Sequence, residues 1–263
     1  MLARSPRLQE TRGDSLMQDR YAGDVGDFMK LSLLKTLAGT NLQLGINWYL
    51  TSGGPEGDGR HVTYLDPDNR IGKSLRQVDE DLYASLQPFA GKDADRSVRL
   101  LEQQSTLRVD TIFYAEPIVD RAHWHQTAIA KLQAVDLVFL DPDNGLRLSG
   151  ADPNPHKHAL PDEIRQYVEN GKSVVLYHHA DRSCSTEEQV VRRLDDVSAA
   201  SGIDALAAVV ARRGTVRFFL VVAQPEHVDI FARRLRSYHQ ITWGPSKSAR
   251  HARVVWRDGK PQM

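Results

Sequence analysis

Val135-Asp136-Leu137-Val138-Phe139-Leu140-Asp141-Pro142-Asp143-Asn144-Gly145 is the stretch that decides the fold. Five of its first six residues are apolar, as in a strand buried on both faces. The run then stops on Asp-Pro-Asp-Asn-Gly, because proline cannot continue a hydrogen-bonded ladder and Asn-Gly favours a tight turn. Two carboxylates and an amide are thus presented at the carboxyl end of a core strand, the edge at which open α/β sheets bind ligands.

Further along, Ser173-Val-Val-Leu-Tyr-His178-His179-Ala-Asp181 repeats that design, a buried strand with polar groups at its tip. If the two strands pair, Asp141, Asp143, Asn144, His178 and His179 become neighbours. One chemistry for such a group is nucleobase recognition, with Asp141 accepting from an exocyclic amine so that the attacking nitrogen is oriented. A second is metal binding by Asp141, Asp143 and His178, with His179 beside them, since carboxylates and imidazole suit Mg²⁺, Mn²⁺ or Zn²⁺. Such an ion activates water for phosphodiester cleavage. The plain alternative is a capped turn, with one histidine buried and satisfied and the other in solvent.

Upstream, Phe28, Leu31, Leu34 and Leu37 recur at helical spacing, with Asp27 as the expected N-cap and Gly39 as the stop. Gly23 and Gly26 leave the entry loop able to approach a ligand. Residues 44–50 read as a strand running into Thr51-Ser-Gly53-Gly54, a turn whose backbone N–H groups suit a nucleotide. The alternation in His61-Val-Thr-Tyr-Leu65 points instead to a glycine-rich hairpin. Asp66-Pro-Asp-Asn69 is read as turn chemistry.

Helices are expected over 79–86, 94–104, 120–133, 160–170 and 225–236. A further helix, 186–200, opens on the Ser185/Glu188 capping box. Histidines 123 and 125, two apart on one helix, face different ways and do not form a joint metal site. Residues 108–115 form a strand ending on Glu116, placed to accept from a ribose hydroxyl. The long loop 145–160 has the size of a functional lid. Residues 205–213 and 215–223 form an antiparallel pair around Gly214, and 241–243 with 253–256 a short final pair. The fold expected is α/β, a Rossmann-like doubly wound and mostly parallel sheet with a C-terminal antiparallel hairpin, the layout of the methyltransferase version of that fold. Residues 1–16 are polar and aperiodic, a disordered lead, with Met17 a candidate start; 17–263 are one α/β domain.

A hydrophobic content of 41% supports an ordinary globular core. The single cysteine, Cys184, excludes an internal disulfide and fits a reducing compartment. No apolar run reaches membrane-span length and no signal peptide is evident, so a soluble, cytoplasmic protein is expected. Zero net charge argues against global attraction to nucleic acid. Residues 206–253 are locally basic, however, and with Tyr238 and Trp243 interleaved they suggest a surface for RNA or DNA.

Gly23-Asp-Val-Gly-Asp-Phe-Met-Lys30 leading into a helix, followed much later by Leu140-Asp-Pro142 at a strand end, resembles bacterial ribosomal RNA adenine-N6 methyltransferases that act on the large subunit. Those enzymes open with a Gly/His/Asp-rich segment ending in Lys and carry Asp-Pro-Pro-Tyr. The resemblance covers the order of elements over roughly residues 20–225. The Leu-Asp-Pro-Asp-Asn-Gly and Tyr-His-His runs are similar to those of a wider set of bacterial proteins. The resemblance implies S-adenosylmethionine as methyl donor, held by Gly23, Asp24, Asp27, Lys30, Thr51, Gly53, Gly54 and Glu116. It implies Asp141 as catalytic acid, with Asn144 and His178 orienting a nucleic-acid or nucleotide acceptor. Asp143 and Asn144 stand where that motif has its second proline and its base-stacking aromatic. The competing readings are a metal-dependent nuclease or phosphohydrolase and a non-catalytic binding module.

Overall fold

The computed structural model describes residues 19, 21–51, 61–91, 94, 96–147 and 154–259. The expected lead at 1–16, Met17, and the glycines at 53 and 54 lie outside these. In chain order the helices are α1 Val25–Ala38, α2 Arg70–Arg76, α3 Glu80–Ser85, α4 Val98–Gln104, α5 Arg121–Lys131, α6 Pro161–Glu169, α7 Thr186–Ser201 and α8 Val228–Thr242. The strands are β1 Leu44–Trp48, β2 Ile112–Tyr114, β3 Leu137–Asp141, β4 Gly145–Leu146, β5 His158–Ala159, β6 Ser173–His179, β7 Ala205–Ala211, β8 Arg217–Val222 and β9 Ala252–Trp256.

Seven strands form one sheet in the order β2-β1-β3-β6-β8-β7-β9. The first four are parallel; β8 runs against both β6 and β7, and β9 runs against β7. The α/β class, the mostly parallel sheet and the antiparallel pair at 205–223 are as the sequence leads one to expect. The chain moves from β1 outward to β2, then returns to β3 on the other side of β1. That reversal opens a crevice at the carboxyl ends of β1 and β3.

Alternation along the strands divides the core into two layers. Leu137 and Phe139 join Ile46, Trp48, Val175, Phe219 and Val221 under α1 and α8. Val138 and Leu140 join Val174, Leu176, Phe218 and Leu220 under α5, α6 and α7. Both faces of β3 are therefore covered, which is why its sequence is continuously apolar.

Four local expectations are corrected. Asp24, not Asp27, caps α1: its Oδ1 accepts from the Asp27 N–H at 3.0 Å. Residues 63–65 are a 3₁₀ turn rather than a strand. Tyr64 and Leu65 are consecutive and both buried, which a one-faced strand cannot achieve, and Leu50 bridges to Pro117 instead. Asn69 caps α2, whose N–H groups at Ile71 and Gly72 it accepts, so the 66–69 turn is a helix entry. Finally, α8 runs on through Thr242, so 241–243 is not a strand and β9 pairs with β7. Tyr238 and Thr242 lie one turn apart, both buried, and pin that last turn.

Candidate functional site

Register fixes which side chains meet at the crevice. Trp48 lies opposite Asp141 across β1 and β3. Leu140 pairs with Leu176, so Asp141 has the same parity as Tyr177 and His179 on β6. His179 in turn lies opposite Arg217 on β8. All of these point to the α1 side of the sheet. A cavity of about 480 Å³ opens there, bounded by the first turn of α1, the strand tips and the loop 141–144. Its volume is in the range of small-molecule sites.

The floor of this cavity is a buried charge network. Lys30 donates to Asp27 Oδ1 at 2.8 Å and to Asp141 Oδ2 at 2.7 Å. Asp27 Oδ2 accepts the Gly23 N–H at 2.8 Å. The Lys30 ammonium also lies 4.8 Å from the Trp48 ring centroid, a cation–π contact. The glycine- and acid-rich entry segment and the strand-tip aspartate, 111 residues apart in the chain, are thus one unit. Burial pushes the Asp141 carboxyl above its ordinary range, with Lys30 pulling the other way; burial does the same to Asp27. The two carboxylates hold Lys30 protonated well above its ordinary value, despite its burial.

Arg217, from β8, completes the wall. Its guanidinium crosses the first turn of α1 at Gly26, where an added Cβ would fall 1.3 Å from Nη1. Nη2 donates to Thr215 Oγ1 at 2.8 Å, and Nη1 is 3.9 Å from Asp24 Oδ1. Arg217, Trp48 and Tyr177 are site residues that sequence pattern alone does not single out. The parity of β8 against His179 is the signal that would have found Arg217.

The expected residues do not all converge. Asp141, Asp143, Asn144 and His179 line the cavity, as do Asp24, Asp27 and Lys30. His178 does not. Strand alternation turns it to the opposite face, where its ring stacks on Phe218 and its Nδ1 accepts the Leu146 N–H at 3.1 Å. It therefore orients the loop behind Asp141 rather than a ligand. Gly23 lies outside the lining: its N–H is committed to Asp27, its carbonyl accepts from Tyr64, and Phe89 packs against its α-carbon. Thr51 is buried just past β1 and Glu116 is exposed past β2; neither lines the cavity.

A glycine lets the Asp141-to-Leu146 loop pass close over His178. Gly145 has φ +95°, and a Cβ there would lie 2.2 Å from His178 Nδ1 and 2.6 Å from the His178 Cα. Gly145→Ala is expected to destabilise the protein by at least about 2 kcal/mol, from backbone strain and overpacking together. Urea unfolding measures it; an unchanged midpoint would mean that the loop does not depend on this contact.

In the metal reading His178 drops out, turned to the other face, and His179 is the imidazole that remains beside Asp141 and Asp143 in the cavity. No group of three or more His, Cys, Asp or Glu side chains is arranged to hold an ion among the described residues. An internal cation, Lys30, already stands between Asp27 and Asp141.

The basic stretch 206–253 does not form one free face. Arg212 and Arg253 both meet Glu187, and Arg213 is bound to His251 and to the carbonyls of Lys247 and Ser248. Arg234 binds the Leu37 and Ala38 carbonyls at the C-terminus of α1, where a cation suits the helix dipole. Tyr238, expected to stack on bases, is buried and donates to the Met29 carbonyl. Trp243 is covered by His239 and Arg250. No helix among the described residues is long and apolar enough to cross a membrane. No protein-family model matches this chain, and no characterised protein matches its sequence.

Proposed function

We propose that this protein is an S-adenosylmethionine-dependent methyltransferase acting on a nucleic acid or a nucleotide, with its reaction centre at Asp141. The observation that carries the reading is the buried Lys30–Asp141 pair at the topological switch point. It joins the two sequence segments on which the resemblance to adenine-N6 methyltransferases rests. The reversed strand β8, inserted between β6 and β7, supports the methyltransferase version of the doubly wound fold.

The residues present suit the donor. Three buried carboxylates, Asp24, Asp27 and Asp141, face two buried cations, Lys30 and Arg217. The surplus negative charge complements a sulfonium, and Trp48, Val98 and Leu101 offer an apolar wall. When bound, the donor supplies an electrophilic methyl group.

The chain's own residues do the rest. Lys30 binds Asp141 through Oδ2, so Oδ1 is left to accept from an acceptor amine. Fixing Asp141 on a central strand and clamping it by Lys30 pre-orients that acceptor without reorganisation at the moment of transfer. Asn144 sits at the lip of the same loop, and its side chain reaches His158 at 3.3 Å, which ties the lip to β5. His179, whose protonation burial and Arg217 both disfavour, presents a neutral imidazole to the cavity.

Calorimetry with S-adenosylhomocysteine, with and without chelator, tests the reading. Micromolar binding that survives chelator is expected. No binding, with heat evolved on adding Mn²⁺ or Mg²⁺, would replace it by the metal-dependent nuclease or phosphohydrolase. Asp141→Asn is expected to lower methyl transfer by about 10²-fold or more while leaving S-adenosylhomocysteine binding largely intact. Equal loss of both would place Asp141 in donor binding instead.

A further inference from the structure

Buried charges in folded proteins are paired at close range, because an uncompensated ion in a low-dielectric interior is costly. Lys30 obeys this rule, with two carboxylate oxygens within 2.8 Å. Arg217, in the same cavity and as deeply buried, is paired only at long range. Its side chain is 7% exposed, its nearest carboxylate is 3.9 Å away, and its one hydrogen bond goes to the neutral hydroxyl of Thr215. Its Nε is buried with no hydrogen-bond partner.

The first turn of α1 makes room for the guanidinium. Gly26 in that turn leaves the space it occupies, since a Cβ there would overlap Nη1. Its strand neighbour across the ladder is His179, another cavity residue. A planar, permanently charged group aimed into a small-molecule cavity, with an anion at 3.9 Å but none hydrogen-bonded to its fork, has donors left for a ligand oxyanion.

We propose that Arg217 is the oxyanion-recognising residue of the cavity, reading a carboxylate or phosphate on the ligand whose other end lies at Lys30 and Asp141. This deepens the methyltransferase reading by making the cavity two-ended, acidic and aromatic at Trp48 and Asp141, cationic at Arg217. The oxyanion has two sources within that reading. One is the amino-acid carboxylate of the methyl donor; the other is the phosphate of a nucleotide acceptor.

The test compares Arg217→Gln and Gly26→Ala with the wild-type chain by calorimetry. Gly26→Ala leaves the arginine in place but drives its guanidinium from α1, and alanine is the better helix former. The probes are S-adenosylhomocysteine, 5′-methylthioadenosine, which lacks the amino acid, and adenosine 5′-monophosphate against adenosine. Circular dichroism melting checks that both variants fold.

If the donor carboxylate is read, both variants weaken S-adenosylhomocysteine by about tenfold or more and leave 5′-methylthioadenosine unchanged. If an acceptor phosphate is read, the monophosphate loses its advantage over adenosine and S-adenosylhomocysteine binds as before. Wild-type binding of the monophosphate without any S-adenosylhomocysteine binding would uphold the oxyanion site and remove the methyltransferase reading. Folded variants that bind every probe as the wild type does, or a wild-type chain that prefers no anionic probe to its neutral partner, would overturn the assignment.

Discussion

Lys30→Met is expected to cost about 3–5 kcal/mol of stability, a fall of roughly 10 °C in melting temperature. The side chain lost is buried, and its removal strands two buried carboxylates, Asp27 and Asp141, without a cation. Arg217 lies over Gly26 with Thr215 and Asp24 as its partners, and no hydrogen bond or ion pair joins it to either Asp27 or Asp141. Each stranded carboxylate can escape its penalty by taking up a proton. Burial already raises both above the ordinary value, so the folded state binds protons more tightly than the unfolded chain. For acids shifted this way stability falls as pH rises through the folded value. The deficit of Lys30→Met should therefore be larger at pH 8 than at pH 5. Asp27→Asn and Asp141→Asn added to Lys30→Met should recover much of the stability, since a neutral cluster carries no stranded charge. Thermal melts across pH give the answer. A variant melting with the wild type at every pH would mean that water reaches and solvates this cluster.

Acid should unfold the protein through His178. Burial, aided by Arg193, depresses its pKa to about 3. The unfolded chain, with an ordinary histidine, binds the proton first as pH falls. Stability carried by the neutral ring is complete above about pH 6.5 and is lost on descent towards the folded value. Between pH 7 and pH 4.5 that loss comes to about 3 kcal/mol. His251 adds a loss of the same sign, its pKa lowered to about 4 by burial and by Arg213, which donates to its Nδ1.

His178→Phe isolates the effect. At pH 7 it should be less stable than the wild type by about 1–3 kcal/mol, because the Leu146 N–H loses its acceptor. At pH 4.5 the difference should vanish or reverse, since the variant has no proton to take up there. Urea unfolding at the two pH values decides the matter. Parallel stability profiles for variant and wild type would show that His178 does not titrate in this window.

Much of the framework was legible before any coordinate. The apolar run at 135–140, broken only by Asp136, reads as a strand covered on both sides, and Leu137–Asp141 is one. The Ser185/Glu188 capping box places the start of α7, and Gly214 marks the turn between β7 and β8. These features are local: each depends on residues within one turn or one strand, so the chain states them directly. Asp141, Asp143, Asn144 and His179 were also legible, because a strand tip needs only the end of an apolar run to be recognised.

What the sequence by itself could not decide was facing and pairing. His178 and His179 are indistinguishable as letters, and only the register of β6 on β3 turns one into the cavity and the other behind the loop. Lys30 reads as one more residue of the Gly23–Lys30 segment until α1 packs it over Asp141. Tyr238 reads as a base-stacking ring until packing buries it, and of the arginines of 206–253 packing takes Arg217 inside and engages Arg212, Arg213, Arg234 and Arg253 with neighbours. Arg217 reads as one of those arginines until antiparallel pairing sets it beside His179 and over Gly26. Local pattern determines which segments become strands and helices, because backbone geometry and burial repeat at short period. The site was decided by tertiary structure, since its charges come from segments far apart in the chain and each is set by the neighbours that desolvate it.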